Sequence, residues 1–189
     1  EMPNLVAWLL GADVSLVAGT EVPIVGYLVS MGITLVVAGA LEEFGWRGFA
    51  QVRLQEQYGA VAASLFVGGM WALWHLPFLL LGVGGFDSFY VYVPEVMAFS
   101  VLLGWLYNAT KGALPVVMIT HAAHNRPDLL GVSGQMPPLA QSVPWDGVFY
   151  VLVMAVVIWQ VGARTLSGDG RLPEIPGKAP ASASQAPAG

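Results

Sequence analysis

The sequence contains no cysteine, and only 10% of its 189 residues are charged. Without a thiol, the chain has no disulfide, no cysteine nucleophile and no thiolate ligand for a metal. The charged fraction is far below the quarter that is usual in soluble domains. The formal net charge of −5 also argues against nucleic acid as a partner.

Apolar residues take the place of the missing charges, at 56% of the chain. A helix needs about 20 apolar residues to cross a bilayer. The apolar runs predict an all-α fold, a polytopic transmembrane helix bundle with membrane lipids as neighbours. We expect about six spans, near residues 4–19, 22–43, 60–82, 93–109, 112–130 and 146–163. The sequence leaves the oligomeric state open.

The end of the chain differs in composition from the apolar part. Residues 1–163 are predicted to form one membrane-embedded domain, whereas residues 164–189, rich in Pro, Ala, Gly and Ser, are predicted to be a disordered tail. The positive-inside rule places this tail in the cytoplasm, opposite Arg126 and the loop around Asp87. The C-terminus is therefore expected on the cytoplasmic side, and the short, Ala- and Gly-rich chain suggests a bacterial cytoplasmic membrane. The basic residues that this orientation places on or near the inner side are Arg47, Arg53, Lys111, Arg164, Arg171 and Lys178.

Residues 41–50, LEEFGWRGFA, place two glutamates and an arginine directly after an apolar run. No proline follows Pro23 until Pro77, so one helix can continue through this segment to Tyr58, where Gly59 suits a helix C-terminus. A continuous helix would carry these charges inside the membrane domain.

Spacing gives the two glutamates different predicted roles. Glu43 and Arg47 lie four residues apart with the acid first, which favours an ion pair. Glu42 points about 100° away around the helix and lacks that partner. A carboxylate without a compensating cation is suited to proton transfer.

The histidines of the chain also lie in apolar segments, at His75, His121 and His124. Measured by helical rise from a turn at residues 58–59, Glu42 and His75 both lie ~24 Å along paired helices, so they share a predicted depth. His121 and Asn125 lie four residues apart, and both can donate hydrogen bonds to an oxyanion. Ionisable residues inside a membrane usually mark functional sites.

At these residues the sequence resembles the type 2 CAAX prenyl endopeptidases and the related bacterial CPBP (Abi) proteins, a family of intramembrane glutamate proteases. The resemblance covers roughly residues 22–163. Three family motifs occur in order: Glu-Glu-x-x-x-Arg at Glu42, Glu43 and Arg47; an aromatic residue one turn before histidine at Trp71 and His75; and His-x-x-x-Asn at His121 and Asn125.

The resemblance implies a role for each position. Glu42 and His75 are expected to activate a water molecule, and His121 and Asn125 to form an oxyanion hole, with Glu43, Arg47 and Trp71 as supporting residues. The implied function is an intramembrane endopeptidase acting on a membrane-associated or prenylated CAAX-type peptide or protein, with no metal or other cofactor.

Other functions remain open from the residues alone. Glu42, Glu43, His75, His121 and His124 have the side chains that zinc prefers, although the chain has no His-Glu-x-x-His and a zinc site would leave Asn125 idle. Gly-Val-Ser-Gly at 131–134 is similar to a serine protease motif, but no histidine follows it. A transporter would be expected to show inverted repeats, which are absent. A non-catalytic role in bacteriocin immunity or partner binding is the remaining alternative.

Overall fold

A computed structural model of the chain describes residues 2–16, 23–82, 88–125 and 130–175. The described residues are mostly helical, which agrees with the predicted all-α class. They also contain one small two-stranded sheet. In chain order the elements are α1 (Met2–Leu9), β1 (Val14–Leu16), α2 (Pro23–Thr34), α3 (Ala40–Gly45), α4 (Val52–Tyr58), α5 (Ala60–Trp74), α6 (Leu76–Leu81), α7 (Phe89–Ala109), α8 (Leu114–His124), β2 (Leu130–Val132), α9 (Pro138–Ser142) and α10 (Trp145–Val161).

Two of the described helices are long and apolar enough to cross a membrane, Ile24–Tyr58 and Phe89–Ala109. Helices α5, α8 and α10 are apolar but shorter than the length that a perpendicular span needs. The predicted number of six spans is therefore not confirmed. The predicted loop around Asp87, the basic residue Arg126 and residues 176–189 lie outside the described residues.

The first predicted span, 4–19, is wrong. Helix α1 ends at Leu9, and the chain turns at Gly11, which has a φ of +88° that favours glycine. Strand β1 follows and pairs antiparallel with β2, with Val14 opposite Val132. The apolar run was long enough to predict a helix, but a turn and a strand pairing divide it.

The predicted continuation of the helix through the two glutamates is confirmed. Helices α2, α3 and α4 join into one helix from residue 23 to residue 58, and it ends before Gly59, whose φ is +81°. Two π-helical stretches, Leu35–Gly39 and Trp46–Gln51, interrupt it. Such stretches often occur at functional sites, and here they lie on either side of Glu42 and Glu43.

The predicted span 60–82 is divided at His75. Helix α5 ends at Trp74, His75 lies in a turn, and α6 begins at Leu76. Pro77 explains the break, because proline has no amide hydrogen to continue the helical bonding and its ring clashes with the preceding turn. His75 therefore lies at a helix end, where its side chain is less restricted than it would be in mid-helix.

Helices α5 and α7 pack closely at a glycine. A Cβ atom built on Gly68 would lie 2.8 Å from Met97 Cα and 2.9 Å from Ser100 Cβ, while one on Gly69 would meet nothing within 4 Å. The contact between the helices therefore requires glycine at position 68 and not at position 69.

We expect Gly68→Ala to lower the free energy of unfolding by about 1–3 kcal/mol, since the added methyl group must push α7 away. Gly69→Ala is the matched control, and we expect it to leave stability unchanged or to raise it slightly, because alanine is the better helix former. Thermal unfolding of the two variants in detergent measures the difference. Equal melting temperatures would contradict the close packing.

The C-terminal segment, residues 163–175, packs against the helices, which corrects the predicted disorder for residues 164–175. Leu166 is fully buried in a cluster with Ala60, Val101 and Val157. Asn108 Nδ2 donates a hydrogen bond to the Thr165 carbonyl at 2.7 Å. The composition of the segment does not reveal these contacts, because they are made by a single leucine side chain and by a backbone carbonyl group, which every residue has.

An exposed ion pair lies farther along the same segment. Lys111 donates a hydrogen bond to the Asp169 carboxylate. This bond, with others from Ser167 and the Arg171 amide, holds the pKa of Asp169 well below its usual range. The Asp169 carboxylate therefore stays charged to a lower pH than an ordinary aspartate.

Candidate active site

A buried ion pair with a histidine lies at the centre of the candidate site. Arg47 Nη1 donates to both carboxylate oxygens of Glu43, at 2.8 and 3.0 Å, which confirms the predicted pair. His121 Nδ1 lies 2.7 Å from Glu43 Oε1. All three side chains are fully buried. Glu43 thus joins the first and third motifs, a contact that the sequence did not predict.

The contact with Glu43 determines how the His121 ring is oriented. A carboxylate oxygen accepts hydrogen bonds, so Nδ1 of His121 is the donor. The other ring nitrogen, Nε2, is buried and has no hydrogen-bond partner among the described residues. It is therefore the nitrogen that can interact with a bound molecule.

Glu42, the neighbouring residue, is placed differently from Glu43. Its Oε2 atom is buried and makes no hydrogen bond to the described part of the chain. As the helical spacing predicted, Arg47 pairs with Glu43 and leaves Glu42 without that ion pair.

His75 lies at the end of α5, with its ring between Trp71 and Tyr92. The ring centroids are 6.2 Å from Trp71 and 5.9 Å from Tyr92. His75 Nδ1 lies 3.0 Å from the Trp71 carbonyl oxygen, so this nitrogen donates. In the neutral ring Nε2 then carries the lone pair that can accept a proton. Tyr92 of α7 thus lies against the His75 ring.

Trp71 forms one wall of the site and is 3% exposed. Its ring lies edge-on to His121, with centroids 4.7 Å apart, and the Arg47 guanidinium lies over it at 5.2 Å. Trp71 Nε1 is buried and has no partner within the described ranges. Trp71 therefore contacts one residue of each motif: Arg47, His75 and His121.

Asn125 differs from His121 in its exposure to solvent. It is exposed at the C-terminal end of α8, and its backbone N–H donates to the His121 carbonyl at 3.1 Å. His124 lies one residue earlier and contacts Tyr150, whose hydroxyl is 2.7 Å from Nδ1. The His124 ring also lies 4.4 Å from the Phe99 ring of α7, measured between centroids.

A ladder of buried polar side chains below Arg47 was missed by the sequence analysis. Arg47 Nη2 donates to Ser100 Oγ at 2.9 Å, and Ser100 Oγ donates to the Ser64 carbonyl at 2.8 Å. Gln51 Nε2 donates to Ser64 Oγ at 2.9 Å. The ladder fixes Arg47, and through it Glu43, against α5 and α7.

The lower end of the ladder is a reciprocal amide pair. Gln55 and Asn108 donate to each other at 3.1 and 2.9 Å. A sequence signal for the ladder exists: polar residues recur every four positions at Glu43, Arg47, Gln51 and Gln55, and such residues share one helix face. Their partners on α5 and α7 have no comparable signal.

The zinc alternative finds no geometric support. Within the described ranges, no three His, Asp or Glu side chains form a group that could hold a metal ion. His121 Nδ1 bonds to Glu43, and His124 Nδ1 contacts the Tyr150 hydroxyl. The residues that the sequence suggested as zinc ligands thus bond to different partners within the described part of the chain and do not surround one position.

The family model of the "Type II CAAX prenyl endopeptidase Rce1-like" proteins matches residues 24–126, more than half of the chain, and this range contains all three motifs. The chain belongs to this family. The Rce1-like family is membrane-embedded and consists of proteases, in agreement with the resemblance and with the apolar helices described above.

A curated relative carries a similar name. The chain is 24% identical over 138 residues to "CAAX prenyl protease 2" of Methanococcus maripaludis, a match that covers 66% of this chain and 48% of that protein. The chain therefore matches about half the length of this relative. No solved structure matches the chain.

Proposed function

We propose that the chain is an intramembrane endopeptidase that hydrolyses a peptide bond with a water molecule activated by Glu42 and His75, without a metal. The observation that carries the proposal is the unequal placement of the two glutamates. Glu43 is held between Arg47 and His121, whereas Glu42 presents a buried oxygen without a partner among the described residues. Family membership supports the reaction class.

The proposed mechanism begins with water. The Glu42 carboxylate accepts one proton from the water. The other hydrogen of the water bonds to the lone pair of His75 Nε2, which orients the water oxygen for attack. The attack on the substrate carbonyl gives a tetrahedral oxyanion. Collapse of this intermediate breaks the C–N bond, and the proton held by Glu42 passes to the leaving amine.

His121 is proposed to stabilise the oxyanion. In its imidazolium form the ring donates Nδ1–H to Glu43 and Nε2–H to the oxyanion, and the Glu43 carboxylate compensates the positive charge. Asn125, the other donor implied by the resemblance, would have to turn inward from the end of α8. Arg47 takes no part in the chemistry and holds Glu43 in place.

The substrate is proposed to be a membrane-associated peptide or protein, and a prenylated CAAX-type protein is one such class, because the relative from Methanococcus maripaludis is named for it. The proposed setting is a bacterial cytoplasmic membrane with the C-terminal segment in the cytoplasm. Helices α5 with α6, α8 and α10 are proposed as further spans beside the two long ones, which retains the predicted bundle.

The proposal predicts that cleavage survives removal of metal ions. We would purify the chain in detergent, present pairs of membrane-peptide reporters with and without a prenyl group, and identify the cleaved bond by mass spectrometry. The expected result is cleavage at the same rate with and without a strong chelator. A loss on chelation that zinc reverses would replace the proposal by a metalloprotease, and a lack of cleavage across the panel would favour a binding role.

A further inference from the structure

Buried polar atoms without partners are concentrated at the candidate site. Six such side-chain atoms occur among the described residues, and four belong to Glu42, Arg47, Trp71 and His121. Buried polar groups are almost always hydrogen-bonded, and leaving one unpaired costs about 1–3 kcal/mol. Their concentration indicates that they pair with a molecule that enters the site.

Trp71 Nε1 is the neutral donor of the four, since Glu42 and His121 can exchange protons and the Arg47 guanidinium carries a charge that Glu43 pairs. An indole N–H only donates, and it cannot lose its proton at any ordinary pH. It therefore suits an acceptor that carries negative charge, and it cannot be a base or a metal ligand. The mechanism proposed above assigns no role to the indole N–H of Trp71.

The ring of Trp71 is held firmly, so the direction of its N–H is fixed. Phe99 lies 6.1 Å away on one side, the His121 ring 4.7 Å away in an edge-on arrangement, and the Arg47 guanidinium over the ring face. A preorganised donor in a buried site stabilises developing charge far more than an exposed donor does. Trp71 is 3% exposed, whereas Asn125 is exposed.

We propose that the Trp71 indole N–H donates a hydrogen bond to the tetrahedral oxyanion, as a second donor beside His121 Nε2. The two rings are in contact, and each has one buried nitrogen without a described partner. The N–H bond stays intact throughout, so Trp71 exchanges no proton with the substrate. This inference rests on the proposed peptidase function.

The test is Trp71→Phe, which removes the N–H and keeps an aromatic ring. Losing one oxyanion donor lowers kcat by about 10²–10³-fold, and we expect KM to change little. Trp105→Phe is the matched control, because Trp105 packs against the other apolar cluster. We expect this control to keep the wild-type kcat.

A smaller ring could also disturb the packing, so a second variant separates the two effects. Benzothienylalanine placed at position 71 by nonsense suppression keeps the shape of tryptophan and replaces the N–H by sulfur. The same loss of kcat in this variant, with a wild-type melting temperature, supports the proposal. Wild-type kcat in this variant, or a change in KM alone, overturns it.

Glu42→Gln distinguishes this inference from the function on which it rests. If Glu42→Gln is inactive while the benzothienylalanine variant cleaves at the wild-type rate, the proposed function holds and the role of Trp71 is wrong. If Glu42→Gln also cleaves at the wild-type rate, the glutamate mechanism itself fails, and with it the inference.

Discussion

Glu42→Gln is expected to lower kcat by about 10²–10⁴-fold, the contribution of a positioned general base. Glutamine has nearly the same shape as glutamate but cannot accept the proton from water. The buried oxygen of Glu42 has no partner among the described residues, so the substitution breaks no described ion pair. The variant should therefore remain folded while the reaction stops.

Glu56→Gln makes the same chemical change on the same long helix, at an exposed position of α4. We expect it to cleave the reporter at the wild-type rate. Melting temperatures of the two variants should agree with that of the wild type. Substantial cleavage by folded Glu42→Gln would contradict the assignment of Glu42 as the base and would direct attention to His75 alone.

Glu43→Ala is expected to destabilise the protein by about 3–5 kcal/mol, the usual cost of removing one partner of a buried ion pair. The change leaves the Arg47 guanidinium buried with the neutral Ser100 as its remaining described hydrogen-bond partner. It also removes the acceptor of His121 Nδ1. For a chain of this size we expect the melting temperature to fall by roughly 6–20 °C.

Glu42→Ala is the control for this effect, since it removes the same carboxylate one residue earlier. We expect its melting temperature to stay close to that of the wild type. The double variant Glu43→Leu with Arg47→Met removes both charges, and we expect it to recover much of the stability, as apolar replacements of buried pairs often do. If Glu43→Ala and Glu42→Ala had the same melting temperature, the buried pair would not be a major source of stability.

The double variant also separates folding from chemistry. His121 would lack the carboxylate that orients it, so we expect the recovered protein to cleave the reporter slowly or not at all. Stability without activity would show that Glu43 acts through His121 as well as through Arg47.

Much of the site could be predicted from the sequence because it depends on local helix geometry. A spacing of four residues places Glu43 and Arg47 on one face of any regular helix, and in the structure they form an ion pair at 2.8 Å. The end of the long helix at Tyr58 follows from Gly59, and the rarity of charges indicates the membrane. The family followed from three motifs, each a short pattern on one helix.

The contacts between helices required the tertiary structure. His121 bonds to Glu43 across 78 positions of the chain, and Ser100 bonds to Arg47 across 53. Helical periodicity shows which residues share a face but not which face of another helix packs against it. For the same reason the polar ladder and the packing of Leu166 could not be foreseen.

The sequence by itself therefore determined the membrane character, the family and the identity of the polar residues inside the bundle. The tertiary structure decided their partners: it left Glu42 without a described hydrogen-bond partner at Oε2, placed Glu43 between Arg47 and His121, and left Asn125 exposed. The physical reason is that a residue type and its spacing are local properties of one helix. Burial and pairing depend on how separate helices pack, and only the folded chain brings those helices together.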